Sequence, residues 1–249
     1  AALRDASPAH AVDHAAVSVF RADRGGTGTS TLLAQVVREL SGHEAIYCDL
    51  EAIATVDGLV NHLQFAFRRA DPTLPSFGFL PGLAINRGTT ADPRIEYVVR
   101  AMRRGRYAVA IDSLGEFGTA FGFYAFGQGE PAAQHELSRV RAELKRLYDF
   151  LQGLIDRAGE FGDSKLLLSH TPVHTGDAEI DKDAGTLSAA FLEYLDSCPP
   201  TLVLSVNEET ALATDLKPIH WAALPNDGSK WSLALAACFR RRRDTVGLR

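Results

Sequence analysis

Apolar positions in this chain fall into short solid runs separated by longer segments of helical period. Residues 15–20 (AAVSVF) read as a buried strand. After a glycine-rich stretch, Leu32, Leu33, Val36, Val37 and Leu40 recur at helical spacing, and Gly42 supplies a stop. Residues 45–50 form a second strand that carries an acid, Asp49, near its end, and residues 56–69 a second helix. The Pro- and Gly-rich segment 71–93 reads as a long loop, a class that often carries function. A short helix at 94–103 leads to the strand 107–112, which ends on Asp112. Residues 134–158 give the strongest helix, with Leu137, Val140, Leu144, Leu147, Leu151, Leu154 and Ile155 on one stripe. Strand-like runs follow at 165–169, 201–207 and 219–224, with a helix near 187–195 and a last one at 231–239. Strands alternating with helices predict an α/β fold: three layers, α/β/α, around a mostly parallel sheet. Residues 1–14 are expected to be a flexible leader and 15–249 a single domain.

Composition narrows the class. The chain has 249 residues, 46% hydrophobic and 23% charged, the mix of a globular domain with a substantial core. No apolar run approaches the roughly 20 residues of a membrane helix. The net charge of −5 argues against a surface coated in basic residues for nucleic acid. Cys48, Cys198 and Cys238 are an odd count without metal-like spacing and read as reduced, intracellular thiols. The expected location is cytoplasmic, extending to the inner face of a membrane.

The chemistry concentrates between the first strand and the first helix, at Arg24-Gly25-Gly26-Thr27-Gly28-Thr29-Ser30-Thr31. Glycines there let several backbone N–H groups turn toward phosphates, and the following helix adds its positive end. Ser30 stands where a hydroxyl holds Mg²⁺. The Lys that usually precedes it and reaches the β and γ phosphates is replaced by Thr29.

This loop resembles the deviant Walker A motif of ParA/MinD-type P-loop ATPases, Lys-Gly-Gly-x-Gly-Lys-(Ser/Thr)-(Thr/Ser). Six of eight positions fit, and both lysines are replaced. The resemblance implies ATP and Mg²⁺ as ligands, bound by Arg24, Gly25, Gly26, Thr27, Gly28, Thr29, Ser30 and Thr31. It puts Arg24 in the place of the signature Lys, which reaches the partner's nucleotide across a dimer. It further implies catalytic roles for Asp49 and Asp112, with Asp112 and Ser30 at the metal. Asn207 would read the adenine edge and Pro225 would pack on the base. An altered loop of this kind is similar to ParA-like proteins of cellulose-synthase operons and of pilus positioning. The implied function is an ATP-dependent homodimer with weak or no hydrolysis. It would position or assemble a larger machine: a membrane synthase complex, a pilus or plasmid DNA.

A second resemblance competes. Ile111-Asp112-Ser113-Leu114-Gly115-Glu116 looks like the Walker B segment of STAND/NACHT signalling ATPases, Asp-Gly-Leu-Asp-Glu, with the acid absent at Gly115. Leu168-Ser169-His170-Thr171-Pro172 resembles their Thr-Ser-Arg-Pro sensor, with the Arg absent at Thr171. A third reading is a P-loop scaffold that binds no nucleotide and acts through protein contacts.

Other features are less specific. Glu116 could align water, though a solvated loop acid is the plainer reading. His170 and His174 flank Pro172; without a third ligand in reach they read as a polar loop rather than a metal pair. Arg240, Arg241, Arg242 and Arg243 follow an apolar helix and suit a weak contact with acidic lipid or DNA phosphate, or a solvated tail. The aromatic-glycine stretch 117–126 lies where a switch region would lie.

Overall fold

The structure, a computed structural model, describes residues 12–22, 28–40, 42–76, 92–117, 134–172, 178–198 and 201–205. Within them the strands are β1 (Val17–Arg21), β2 (Glu44–Asp49), β3 (Tyr107–Asp112), β4 (Lys165–His170) and β5 (Thr201–Ser205). The helices are α1 (Thr29–Glu39), α2 (Val56–Ala70), α3 (Pro93–Arg104), α4 (Gln134–Asp156) and α5 (Ala178–Ser197). The described strands form one sheet in the order β2-β3-β4-β1-β5, and every pairing is parallel. Parallel neighbours need crossover connections, which the intervening helices provide.

Alternation along the strands divides the core in two. Val17, Val19, Ile46, Cys48, Val109, Ile111, Leu166 and Leu168 point to one face and pack with α2, α3, α4 and α5. Phe20, Tyr47, Ala108, Ala110 and Leu167 point to the other, beneath Leu32, Leu33, Val36 and Val37 of α1. The result is the expected three-layer α/β/α arrangement. Ala108 and Ala110 have small side chains, which let α1 lie close to β3.

Helix starts are set locally. Thr55 caps α2 by accepting from the Gly58 N–H at 3.0 Å. Asp92 caps α3 by accepting from the Arg94 N–H at 2.9 Å, and Pro93 follows at the first helical position. The expected elements agree with the observed ones within a few residues, except that α5 begins at Ala178 rather than near Leu187. Its first half carries Asp181, Lys182, Asp183, Gly185 and Thr186, which dilute the apolar spacing of Ile180, Ala184 and Leu187; among the side chains described there, Ala184 is buried. The expected strand at 219–224, the helix at 231–239, most of the loop 71–93 and all but Phe117 of the aromatic-glycine stretch 117–126 lie outside the described residues. Among the described residues, no helix is long and apolar enough to cross a membrane.

Candidate functional site

The glycine loop delivers the chain into α1 through Gly28, whose φ of 85° lies in the left-handed region. A side chain there would be strained although no atom stands within 4 Å of its place. Gly28 contributes no side-chain cap to α1, and no acidic residue stands in the first turn. The opening N–H groups and the positive end of the helix therefore meet no negative charge of the helix's own. Thr29, in the position of the missing Lys, is buried, while Ser30 and Thr31 are half-buried. Arg24, Gly25, Gly26 and Thr27 lie outside the described residues, as do His174, Asn207, Pro225, Arg240, Arg241, Arg242 and Arg243.

Asp112 ends β3 on the same sheet face as α1. Its carboxylate is 1% exposed and collects donors from three segments. The Tyr47 hydroxyl of β2 donates to Oδ2, and the Ser169 hydroxyl of β4 donates to Oδ1. The Ser113 N–H donates to Oδ1 at 2.8 Å and lies equally near Ser169 Oγ. A buried carboxylate without such donors would be costly, and here the donors also fix its orientation. Neither Tyr47 nor Ser169 stands out as functional in sequence by itself. The signal available was a polar residue inside an otherwise apolar strand, two positions (Tyr47) or one position (Ser169) before the strand's end.

The turn after Asp112 is equally specific. Ser113 is buried and adopts φ 63°, ψ 45°, the left-handed conformation that favours glycine. Glycine is what the Asp-Gly-Leu-Asp-Glu pattern places at this position. Leu114–Glu116 then forms a single tight turn, with the Glu116 N–H donating to the Ser113 carbonyl at 2.8 Å. Gly115 is packed against the exit of β4. A Cβ there would fall 2.3 Å from the Thr171 carbonyl oxygen and 2.9 Å from that of Pro172. The two departures from the STAND-type pattern, no acid at 115 and no Arg at 171, therefore meet in space. Backbone fills the place where a 115 side chain would begin. Glu116 is half-buried on this turn.

Asp49 is placed otherwise. It pairs in register with Asp112 but caps the turn Leu50–Ala52, accepting from the Glu51 N–H at 3.0 Å. The strand order sets its distance from β1, the strand that precedes the glycine loop in sequence. With neighbouring strands about 4.8 Å apart, β2 lies about 14 Å from β1, and β3 about 10 Å. Between β1 and β3 runs β4, so its C-terminal end, Ser169 to Pro172, separates the loop strand from the acid strand.

His170 is 3% exposed, and its Nε2 meets Ser188 Oγ at 2.8 Å. Burial, with a further contribution from the Arg21 charge, pushes its pKa down to about 4, so the ring is neutral near pH 7. Among the described residues, no group of three or more His, Cys, Asp or Glu is arranged to hold a metal. No family model and no curated protein matches this chain.

Proposed function

We propose that the chain is a P-loop nucleotide-binding domain of the STAND/NACHT signalling type, binding ATP-Mg²⁺ through residues 24–31 and hydrolysing it slowly or not at all. One observation carries the choice of type. The sensor-like segment 168–172 lies on the strand between the loop strand and the acid strand, and it touches the Walker B-like segment twice. Ser169 donates to Asp112, and the Thr171 and Pro172 carbonyls lie against Gly115. A sensor placed between the loop strand and the acid strand could respond to both, and β4, which carries this segment, lies between them. The left-handed Ser113 at the pattern's glycine position supports the same reading.

The residues present suit a magnesium ion held mainly by phosphate and water. Ser30 offers a hydroxyl on the first turn of α1. Asp112 already accepts from three donors, so a carboxylate with about four acceptor sites retains about one. Mg²⁺ typically keeps several waters and takes one or two carboxylates beside the phosphates. When bound, the ion would neutralise phosphate charge. With Thr29 uncharged where the Lys would stand, stabilisation of the developing charge is reduced by several kcal/mol, which supports binding over turnover.

A second reading, the ParA/MinD-like ATP-dependent dimer acting as a positioning factor, keeps support from the loop sequence with Arg24. It requires Asp49 to act near the magnesium, and Asp49 instead caps a turn three strands from β1. Denaturation with and without ATP-Mg²⁺, joined to sedimentation analysis, separates the readings. A ligand at 100 times its Kd raises stability by about 2.7 kcal/mol. We expect that rise, its loss in Ser30→Ala, phosphate release no faster than that variant's, and no ATP-induced dimer of this chain. An ATP-dependent dimer selects the ParA/MinD reading. Absence of any ATP effect selects a nucleotide-free scaffold and refutes both.

A further inference from the structure

Helices α2 and α3 lie side by side and run in the same direction. An ion pair joins them near each end: Arg94 with Asp57 at 2.8 Å by their starts, and Arg104 with Asp71 at 3.5 Å by their finishes. Their last turns therefore bring arginines together, Arg68 and Arg69 from α2 with Arg103 and Arg104 from α3. Arg100 stands one turn earlier on α3. It shares a helix face with Tyr97 and Arg104, and both of those meet α2: Tyr97 beside the Arg68 charge, Arg104 on Asp71.

Two features set this patch apart from a solvated helix end. The first is uncompensated charge. Arginines in a last turn offset the negative end of a helix, and two of these also have acids of their own, Arg104 on Asp71 and Arg103 beside Glu160. Arg68, Arg69 and Arg100 are exposed, and no described residue forms an ion pair with them. This positive excess sits on a chain whose net charge is −5, so it is local to the patch. The second is Phe65, which is 70% exposed and is the one exposed large hydrophobic side chain among the described residues. It precedes Arg68 and Arg69 by three and four positions on α2 and so shares their face.

The charge calls for a polyanion, and the aromatic ring decides which. A helix that lies on an anionic membrane needs a broad apolar outer face. Beside Phe65 the outer face of α2 carries Asn61 and His62, while Val56, Leu59, Val60, Leu63 and Phe67 are in the core. A nucleic acid duplex keeps its base faces inside the stack. A single strand offers them, and an exposed aromatic ring is a platform for one base. The cations are all arginine, and α2 and α3 contain no lysine. A guanidinium forks onto phosphate oxygens and stacks on flat rings, which an ammonium does not. We propose that the C-terminal ends of α2 and α3 form a binding surface for single-stranded nucleic acid, with a base stacked on Phe65 and backbone phosphates on Arg68, Arg69 and Arg100. The surface lies beside the start of β3, whereas Asp112 ends that strand and the glycine loop follows the end of β1. It does not depend on nucleotide binding at the glycine loop.

The test is an anisotropy titration of the whole chain, without nucleotide, against fluorescein-labelled oligothymidylate and oligouridylate of about 12 nucleotides, within the span such surfaces cover. We expect saturable binding of at least one of them. Its log affinity should fall with log salt at a slope of about −2, from three phosphates at about 0.7 each. Phe65→Ala should weaken binding by about tenfold at unchanged slope, the loss of one stacked base. Arg68→Gln and Arg100→Gln should each make the slope shallower by about 0.7. All three positions are exposed, so the variants should keep the parent's denaturation midpoint. Ser30→Ala should leave binding unchanged. Failure of both oligonucleotides to bind overturns the proposal, as does binding that Phe65→Ala leaves intact or a duplex bound as tightly as the single strand. Capture by phosphatidylserine vesicles that Phe65→Ala abolishes, with no oligonucleotide bound, assigns the patch to a membrane and overturns it too. So does oligonucleotide binding that survives Arg68→Gln and Arg100→Gln and is lost in Arg240→Gln with Arg241→Gln, which would place the strand on the C-terminal basic run.

Discussion

Removing one hydroxyl tests whether Asp112 is held as the structure describes. In Tyr47→Phe the ring stays in the packed layer beneath α1, and the donor to Asp112 Oδ2 is lost. The carboxylate remains 1% exposed, so water has little access to replace that donor. Hydrogen bonds to charged groups contribute about 1.5–3 kcal/mol, and a buried acceptor left bare costs a similar amount. We therefore expect a loss of about 2 kcal/mol, a large share of the roughly 5–15 kcal/mol typical of a domain. Urea denaturation at pH 7 measures it as a lower midpoint with an unchanged slope. The same substitution made in Asp112→Asn should cost only about 1 kcal/mol, because the bond it breaks is then neutral. The difference is the coupling between the hydroxyl and the charge. A Tyr47→Phe loss below about 0.5 kcal/mol, or one identical in the two backgrounds, would refute the hub. A stability loss without any change in the magnesium dependence of ATP binding would confine Tyr47 to a structural role.

Two further predictions follow from the same geometry. Gly115→Ala places a methyl 2.3 Å from a backbone oxygen that no side-chain rotation can move. Overpacking of this kind costs about 1–3 kcal/mol, so its denaturation midpoint should fall; an unchanged midpoint would mean that 115 and 171 are not in contact. His170 gives an acid dependence. Its pKa is about 4 in the folded chain against 6.5 when free, so the unfolded chain binds the extra proton between those values. Stability should then be full above pH 6.5 and fall by about 3 kcal/mol on acidification to pH 4. His170→Gln should flatten that slope, and an unaltered slope would show that other groups cause it.

Periodicity alone determined most of the architecture. The solid apolar runs at 15–20, 45–50, 107–112 and 165–169 are strands because strands buried on both faces need apolar residues on both. The stripe of 134–158 is a helix because its apolar residues return every three or four positions. Where that signal is diluted by polar residues, as in the first half of α5, the sequence is weak and the core that Ala184, Phe191 and Leu195 join decides. The glycine loop was legible because the conformation of Gly28 is a local property of backbone without a Cβ. Strand order was not legible, since apolar runs look alike wherever they lie in a sheet. That order decided the site. It placed β4 between the loop strand and the acid strand, and it brought Tyr47 and Ser169, 65 and 57 residues away in sequence, onto Asp112. It also set Arg21 beside His170. Contacts between distant residues depend on which strands neighbour one another, and only the folded sheet fixes that.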